Sequence, residues 1–189
     1  TPYGHCGERA LNKLCPDGFT HNEQGVRLVD VLEKDGRGMN LTYEVRDGIL
    51  NHQTAGNPST LEGKIVRLSD KIAYINSDID DAIRAHAIPG CYTDVLGSSL
   101  KQRLNTIIHD IILNSEGKND ICMSHDVEEA FLGLRRFMFE EVYTNPVAKG
   151  EEKKAIHVVE QLFEYYMAHV DEMPEEFKVL IENGTTTER

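Results

Sequence analysis

The chain has 189 residues, of which 40% are hydrophobic and 28% charged, and its formal net charge is −12 at pH 7. This composition is typical of a globular protein, and the acidic balance argues against a general affinity for nucleic acid, whose phosphates need a basic surface. No apolar run approaches the roughly 20 residues that cross a bilayer, and no signal peptide is recognisable, so we predict a cytoplasmic protein without a membrane segment. The four cysteines form no C-x-x-C pair, which predicts reduced thiols.

Apolar residues recur at helical spacing along the chain, and no stretch alternates convincingly as a strand does. Polar loops, several of them containing glycine or proline, separate the periodic segments. The pattern predicts an all-α fold, a single domain of seven or eight helices whose apolar faces share one core. In chain order, the predicted helices span residues 9–14, 21–32, 43–52, 60–86, 92–114, 127–143 and 151–170, with a short last helix from 174.

Several helix starts carry recognisable signals. Asn22, Thr42, Thr60 and Ser124 each stand where a side-chain oxygen could cap the free N–H groups of a first turn. Pro174 occupies a favoured first position, where its missing N–H is not needed.

The predicted helix over residues 60–86 has two different faces. At about 100° per residue, Asp70, Tyr74 and Asp78 share one face with Lys71 beside them. Aliphatic residues gather on roughly the opposite face: Ile65, Leu68, Ile72, Ile75, Ile79 and Ile83. Judged alone, the polar face could simply be solvated, but short acidic and aromatic side chains are also suited to holding a ligand.

Two polar clusters near the N-terminus could carry chemistry. His5 and Glu8 lie three residues apart in a glycine-flanked segment, so the backbone can turn sharply and the side chains can converge on one point. An imidazole bonded to a carboxylate is a common general acid or base, although Glu8 could equally cap a helix. His21 and Asn22 open the next predicted helix, where side chains and free N–H groups could meet an anion or simply cap the helix.

Two His-Asp dipeptides are less convincing as metal ligands. His109 and Asp110 lie inside a regular helix beside an isoleucine-rich stripe, and Asp126, after His125, falls in a first turn where any acid is favourable. We expect structural roles for all four. Nucleophile-elbow and P-loop motifs are absent from the sequence.

Four blocks of the sequence together resemble, in the same order, the deoxyguanosinetriphosphate triphosphohydrolase family of HD-domain proteins. A weaker likeness continues through residues 134–137 to the C-terminus, so the resemblance covers nearly the whole chain. It implies an all-α HD-type domain, a divalent metal, and hydrolysis of a deoxynucleoside triphosphate to deoxynucleoside and inorganic triphosphate. The four blocks are TPYGHCGE (1–8), GFTHNEQ (18–24), LTYEVRDG (41–48) and IVRLSDKIAYINSDIDD (65–81).

The resemblance also implies roles for the residues that match the family's motifs. Asp70 matches the last metal ligand of the HD site. His5 and Glu8 match the catalytic pair that positions and activates water or protonates the leaving oxygen. A metal ion and a proton-handling pair are both appropriate to hydrolysis of a triphosphate ester.

The remaining matches concern the substrate. Lys71 matches a phosphate contact, while Tyr74 and Asp78 match residues at the deoxyribose, an aromatic wall and a carboxylate for the 3′-hydroxyl. His21 and Asn22 match a motif that reaches the phosphates.

The chain departs from the family's pattern at its ends. In the family, a His and an adjacent His-Asp pair precede the segment that begins here at Thr1, and the pattern continues past Arg189. We therefore expect residues 1–189 to be a partial HD domain, in which Asp70 alone holds Mg²⁺ or Mn²⁺ poorly and the chain by itself has little or no activity. The resemblance further implies a homo-oligomer for the full-length protein.

Two other classes of function remain open. One is a different HD-type phosphohydrolase that acts on nucleoside monophosphates or guanosine tetraphosphate. The other is a non-catalytic protein that senses nucleotides. The products released from a panel of nucleotides would separate the phosphohydrolases, and tight binding of a deoxynucleoside triphosphate without turnover, by a protein that includes the upstream segment, would support the non-catalytic class.

Overall fold

A computed structural model describes residues 1–84, 95–144 and 146–183. Within these residues the regular structure is helical and no strand occurs, which confirms the predicted all-α class. Eight of the helices have seven residues or more, and the shortest, α3, is a single turn in which Lys34 and Asp35 are left-handed. The helices are α1 (Gly4–Leu14), α2 (His21–Arg27), α3 (Glu33–Gly36), α4 (Tyr43–Leu50), α5 (Leu61–Arg84), α6 (Leu100–Ser115), α7 (His125–Phe137), α8 (Pro146–Ala168) and α9 (Glu175–Asn183).

Three short segments of other helical geometry follow α2, α7 and α8. They are π-helical turns at Leu28–Leu32 and Met138–Val142 and a 3₁₀ turn at Val170–Glu172. In the part of the chain that the structure describes, no helix is both long and apolar enough to cross a membrane.

The chain forms two compact units. The first comprises Thr1–Arg46 and Lys149–Arg189, and the second comprises Asp47–Ala148. In the first unit, α1 is tied to α8 by ion pairs from Arg9 to Glu152 at 2.7 Å and from Lys13 to Glu160 at 3.5 Å. These ion pairs are largely exposed, so each contributes little to the free energy of folding.

The second unit holds the main hydrophobic core, and α5 is its central element. Ile75 and Ile79 are fully buried and Ile72 is 6% exposed, so the predicted isoleucine stripe is confirmed over these turns. Ile65, predicted on the same stripe, is 48% exposed. The buried core residues are Ile72, Ile75, Ile79, Ala82, Leu96, Ile107, Val127, Phe131, Leu134 and Met138.

A buried cation also joins α5 to α6. The guanidinium of Arg103 is fully buried and donates from Nε to Asn76 Oδ1 and from Nη2 to Asp80 Oδ1, both at 2.7 Å. Since a buried charge is costly unless it is paired and hydrogen-bonded, this network fixes how α6 lies against α5.

Several predicted helix starts were wrong. Helix α1 begins at Gly4 rather than residue 9, and it includes Gly7, where a Cβ would stand 1.8 Å from the Pro2 carbonyl oxygen. A glycine is therefore required there for close approach, and the helix continues through it. Helix α2 begins after Thr20, so the predicted cap Asn22 lies inside the helix.

Other differences have local causes. The helix predicted over residues 92–114 begins at Leu100, because Ser99 and Gln102 form a capping box; residues 85–86 and 92–94 of the two predicted helices lie outside the described residues. The helix predicted over 127–143 changes to a π-helical turn at Met138. The predicted cap Thr60 is confirmed, since its Oγ1 accepts the Gly63 N–H at 3.0 Å.

Candidate functional site

In the first unit, Glu8 and His21 form a hydrogen-bonded pair. The carboxylate Oε1 of Glu8 accepts the backbone N–H of His21 at 2.8 Å, and Nδ1 of the His21 ring lies 2.9 and 3.0 Å from the two carboxylate oxygens. Helix α1 presents Glu8 and the first residue of α2 presents His21, so the turn between the helices brings them together. The pair is mostly buried, with side-chain exposures of 17% for Glu8 and 30% for His21.

His5 completes this cluster without a direct bond to Glu8. Its ring lies edge-on to the His21 ring, with centroids 5.9 Å apart, and its side chain is exposed. The predicted convergence of His5 and Glu8 is confirmed, since ligand atoms of His5, Glu8 and His21 all lie within 4.8 Å of one another. The imidazole hydrogen-bonded to the carboxylate is nevertheless that of His21, and the convergence results from helix α1 rather than from a sharp glycine turn.

The electrostatics of this cluster favour an ionised Glu8. Burial by itself would raise the pKa of the Glu8 carboxyl, but the hydrogen bonds from the backbone and ring of His21, with the charges of His21 and His5, together lower it. The carboxylate can therefore orient the His21 ring through its contacts with Nδ1. Asn22, next in the chain, is 6% exposed.

In the second unit, the polar face of α5 carries the other predicted residues. Asp70 is exposed, whereas Lys71, Tyr74 and Asp78 are half-buried beside the buried isoleucines, and Tyr74 packs against the hydrophobic core. Asp78 is not simply solvated, because its carboxylate accepts a hydrogen bond from the hydroxyl of Tyr143. Burial and this bond raise the pKa of Tyr143 above its usual range, which keeps the phenol protonated as a donor.

Cationic side chains surround Lys71 on the same unit. Burial lowers the pKa of the Lys71 ammonium, and the nearby charges of Arg67 and Arg135 lower it further, against the opposing effect of Asp70. The Arg135 guanidinium also lies 5.1 Å from the centroid of the Phe139 ring. Arg67 and Arg135 thus lie near Lys71, and we call these three cations, which have Asp70 beside them, the cationic patch of a chain of net charge −12.

Known proteins match the chain along nearly its full length. A deoxyguanosinetriphosphate triphosphohydrolase-like protein of Caldanaerobacter subterraneus subsp. tengcongensis is 54% identical over 187 residues, which cover 96% of this chain and 55% of the relative. Proteins of the same name from Clostridium perfringens strain SM101 and Clostridium tetani are each 41% identical, covering 95% of the chain and 57% and 56% of the relatives. The chain is homologous to the deoxyguanosinetriphosphate triphosphohydrolase-like proteins. It spans about half the length of these relatives.

A family profile described as a phosphohydrolase-associated domain also matches residues 121–189. The matched region includes Arg135 and Tyr143, which sequence reasoning did not assign to the site. The segment around Arg135 carries only a weak likeness to the triphosphohydrolase family, and the sequence predicts that Tyr143 ends a regular helix. The π-helical turn at Met138–Val142 lies between them and changes the register in which Tyr143 leaves the helix.

Of the residues in the two His-Asp dipeptides, Asp110 has clear structural contacts. Both carboxylate oxygens of Asp110 accept hydrogen bonds, Oδ1 from Asn114 at 3.0 Å and Oδ2 from the Ser124 N–H at 2.8 Å. The side chain of His125 is 88% exposed and lies 4.0 Å from Glu129. Neither dipeptide belongs to a group of three potential metal ligands within the described residues.

The implied metal ligand Asp70 does not by itself provide a metal site. Among the described residues of the second unit, no group of three or more His, Cys, Asp or Glu side chains surrounds a common point. A divalent ion held in a protein needs several such ligands. The residues around Asp70 therefore do not fit the implied ion on their own.

Proposed function

We propose that a protein containing this chain hydrolyses a deoxynucleoside triphosphate to the deoxynucleoside and inorganic triphosphate. The observation that carries the proposal is the arrangement on the second unit, where three cations, Arg67, Lys71 and Arg135, accompany the hydrogen-bonded pair Asp78 and Tyr143. Homology to proteins named for this reaction supports it. The activity is a proposal for the longer protein, because the chain spans 55% of that relative.

The cationic patch is suited to a triphosphate. Guanidinium groups bind phosphate oxygens in a two-pronged geometry, and a lysine contributes a compact charge. Burial first, and then the charges of Arg67 and Arg135, lower the pKa of Lys71, and an anion bound between the cations would offset the repulsion among them.

The other end of this face is suited to a sugar. Asp78 is a hydrogen-bond acceptor for a hydroxyl, and Tyr74 offers an aromatic surface one turn earlier on α5. Tyr143 holds the Asp78 carboxylate by its hydroxyl hydrogen bond. These features support recognition of a deoxyribose with its 3′-hydroxyl directed toward Asp78.

The Glu8 and His21 pair supports the proton chemistry of the reaction. Cleavage at the 5′-oxygen requires removal of a proton from water and delivery of a proton to the leaving alkoxide. His21, bonded to an ionised Glu8, can hold and release such a proton, and the exposed His5 lies beside it. We therefore extend the predicted catalytic pair of His5 and Glu8 to include His21.

The experiment identifies the products released from a panel of nucleotides. We would assay the chain and, in parallel, a chimera in which it replaces the matched 55% of the Caldanaerobacter relative. Release of inorganic triphosphate and deoxynucleoside from the chimera is expected. Release of phosphate or pyrophosphate, or nucleotide binding without turnover while the unsubstituted relative is active, would overturn the proposal.

A matched pair of arginine variants tests the site within the same chimera. Arg135→Gln removes a cation next to Lys71, whereas Arg136→Gln removes its exposed neighbour on α7. Loss of one charge-assisted contact costs about 1.5–3 kcal/mol, so kcat/KM is expected to fall roughly 10- to 100-fold for Arg135→Gln and little for Arg136→Gln. If the two variants lowered kcat/KM equally, the cationic patch would not be part of the substrate site.

A further inference from the structure

The group formed by His5, Glu8 and His21 has the composition of a transition-metal site. One ligand atom from each side chain lies within 4.8 Å of the others, and Glu8 Oε1 is 2.9 Å from His21 Nδ1. Ligand atoms that share an ion through bonds of about 2.0–2.2 Å lie roughly 3–3.5 Å apart. The exposed His5 side chain would have to rotate to bring its ring nitrogen to the same distance.

We propose that His5, Glu8 and His21 bind one ion of the Zn²⁺ class, with one nitrogen from each imidazole and one carboxylate oxygen as ligands. Two imidazoles and one carboxylate form a ligand set typical of zinc and other transition metals, whereas Mg²⁺ prefers oxygen ligands alone. Asp70, which the family resemblance assigns to a divalent metal, is not part of this set.

The structure supports both the rigidity and the accessibility of the site. Glu8 and His21 are mostly buried, and the backbone N–H of His21 holds the Glu8 carboxylate at 2.8 Å, an outer contact of the kind that orients ligands. His5 is exposed, so an ion can enter from solvent on its side.

Binding of such an ion would compete with proton transfer. The His21 nitrogen and the Glu8 oxygen that would hold the ion are the atoms that form the proposed proton-handling pair. This consequence, inhibition by Zn²⁺, rests on the proposed function, whereas the metal site itself does not.

The test is a titration of the 189-residue chain with Co²⁺, whose visible absorption reports nitrogen and oxygen ligands. We expect one equivalent to bind, to be displaced by Zn²⁺, and to resist excess Mg²⁺. His5→Ala, Glu8→Gln and His21→Ala should each lower the Co²⁺ affinity by at least the roughly 10- to 100-fold that loss of an outer-shell partner costs. His125→Ala, which removes an exposed histidine beside Glu129, should leave it unchanged.

Folding of each variant is checked by circular dichroism. His5→Ala is the decisive variant, because the His5 side chain is exposed and its removal should not disturb the helices. Unchanged Co²⁺ affinity in folded His5→Ala, or equal loss in His125→Ala, would overturn the site. A chimera without triphosphate release would overturn only the proposed function, since the Co²⁺ titration needs no turnover.

Discussion

The hydroxyl of Tyr143 donates a hydrogen bond to the carboxylate of Asp78, which joins the residue after the second π-helical turn to the polar face of α5. Since burial and this bond raise the pKa of Tyr143, the phenol remains a donor at any physiological pH. The bond therefore holds Asp78 in one orientation on a face that would otherwise be available to water.

Tyr143→Phe should weaken binding of a deoxynucleoside triphosphate without unfolding the protein. The loss of one net hydrogen bond is about 1 kcal/mol, which predicts a roughly fivefold higher Kd. Asp78→Ala should raise the Kd further, because it removes the acceptor for the sugar hydroxyl as well. Calorimetric titration of the chimera measures both, and Tyr166→Phe, an exposed tyrosine of the first unit, is the control. Unchanged affinity in Asp78→Ala would remove this residue from the substrate site.

Ile75→Asp should unfold the second unit, whereas Ile65→Asp should be tolerated. Ile75 is fully buried, and placing an unpaired carboxylate there costs more than about 4 kcal/mol. Ile65 lies on the same helix and is 48% exposed. Thermal unfolding followed by circular dichroism compares the two variants with Asp78→Ala. Similar melting temperatures for Ile75→Asp and Asp78→Ala would contradict the division of α5 into a core face and a binding face.

Arg103→Met should destabilise the protein because it leaves Asn76 and Asp80 without their buried donor. Removing one partner of a buried ion pair costs about 3–5 kcal/mol, and we expect the lower end because the Asp80 side chain is 31% exposed. Adding Asn76→Leu and Asp80→Ala to Arg103→Met should recover much of the loss, since no polar group then lacks a partner. Urea denaturation measures each step. If the triple variant is as unstable as Arg103→Met, the network must stabilise the fold by more than the cost of burying its own polar groups.

Lys71→Met should stabilise the fold and weaken phosphate binding. The folded-state pKa of Lys71 lies below its usual value of 10.5, first through burial and then through Arg67 and Arg135. The charged lysine therefore lowers stability at neutral pH, and this loss disappears as the pH rises from the folded pKa toward 10.5. We expect the variant to be more stable than the unsubstituted protein at pH 7 and to lose this advantage near pH 10.5.

Urea denaturation at the two pH values checks this prediction, with the exposed Lys101→Met as the control. Titration with inorganic tripolyphosphate, followed by calorimetry, should show weaker binding for Lys71→Met. The prediction is contradicted if Lys71→Met is less stable than the unsubstituted protein at pH 7, or if it binds tripolyphosphate as tightly as the unsubstituted protein does.

The isoleucine stripe of α5 was predictable because it depends only on the spacing of apolar residues along one helix. The start of α6 was missed, although Ser99 and Gln102 carry a capping-box pattern that could have identified it. Arg103 could not have been recognised as buried, because its burial depends on acceptors that α5 supplies 23 and 27 residues earlier.

The amino-acid sequence by itself determined the all-α class, the two faces of α5 and the family resemblance, because helical periodicity and short motifs are local properties. Only the tertiary structure decided that Glu8 bonds His21, 13 residues away, and that Asp78 bonds Tyr143, 65 residues away. Such partners depend on the turn between α1 and α2 and on the π-helical register after α7, neither of which has a local signal strong enough to predict them.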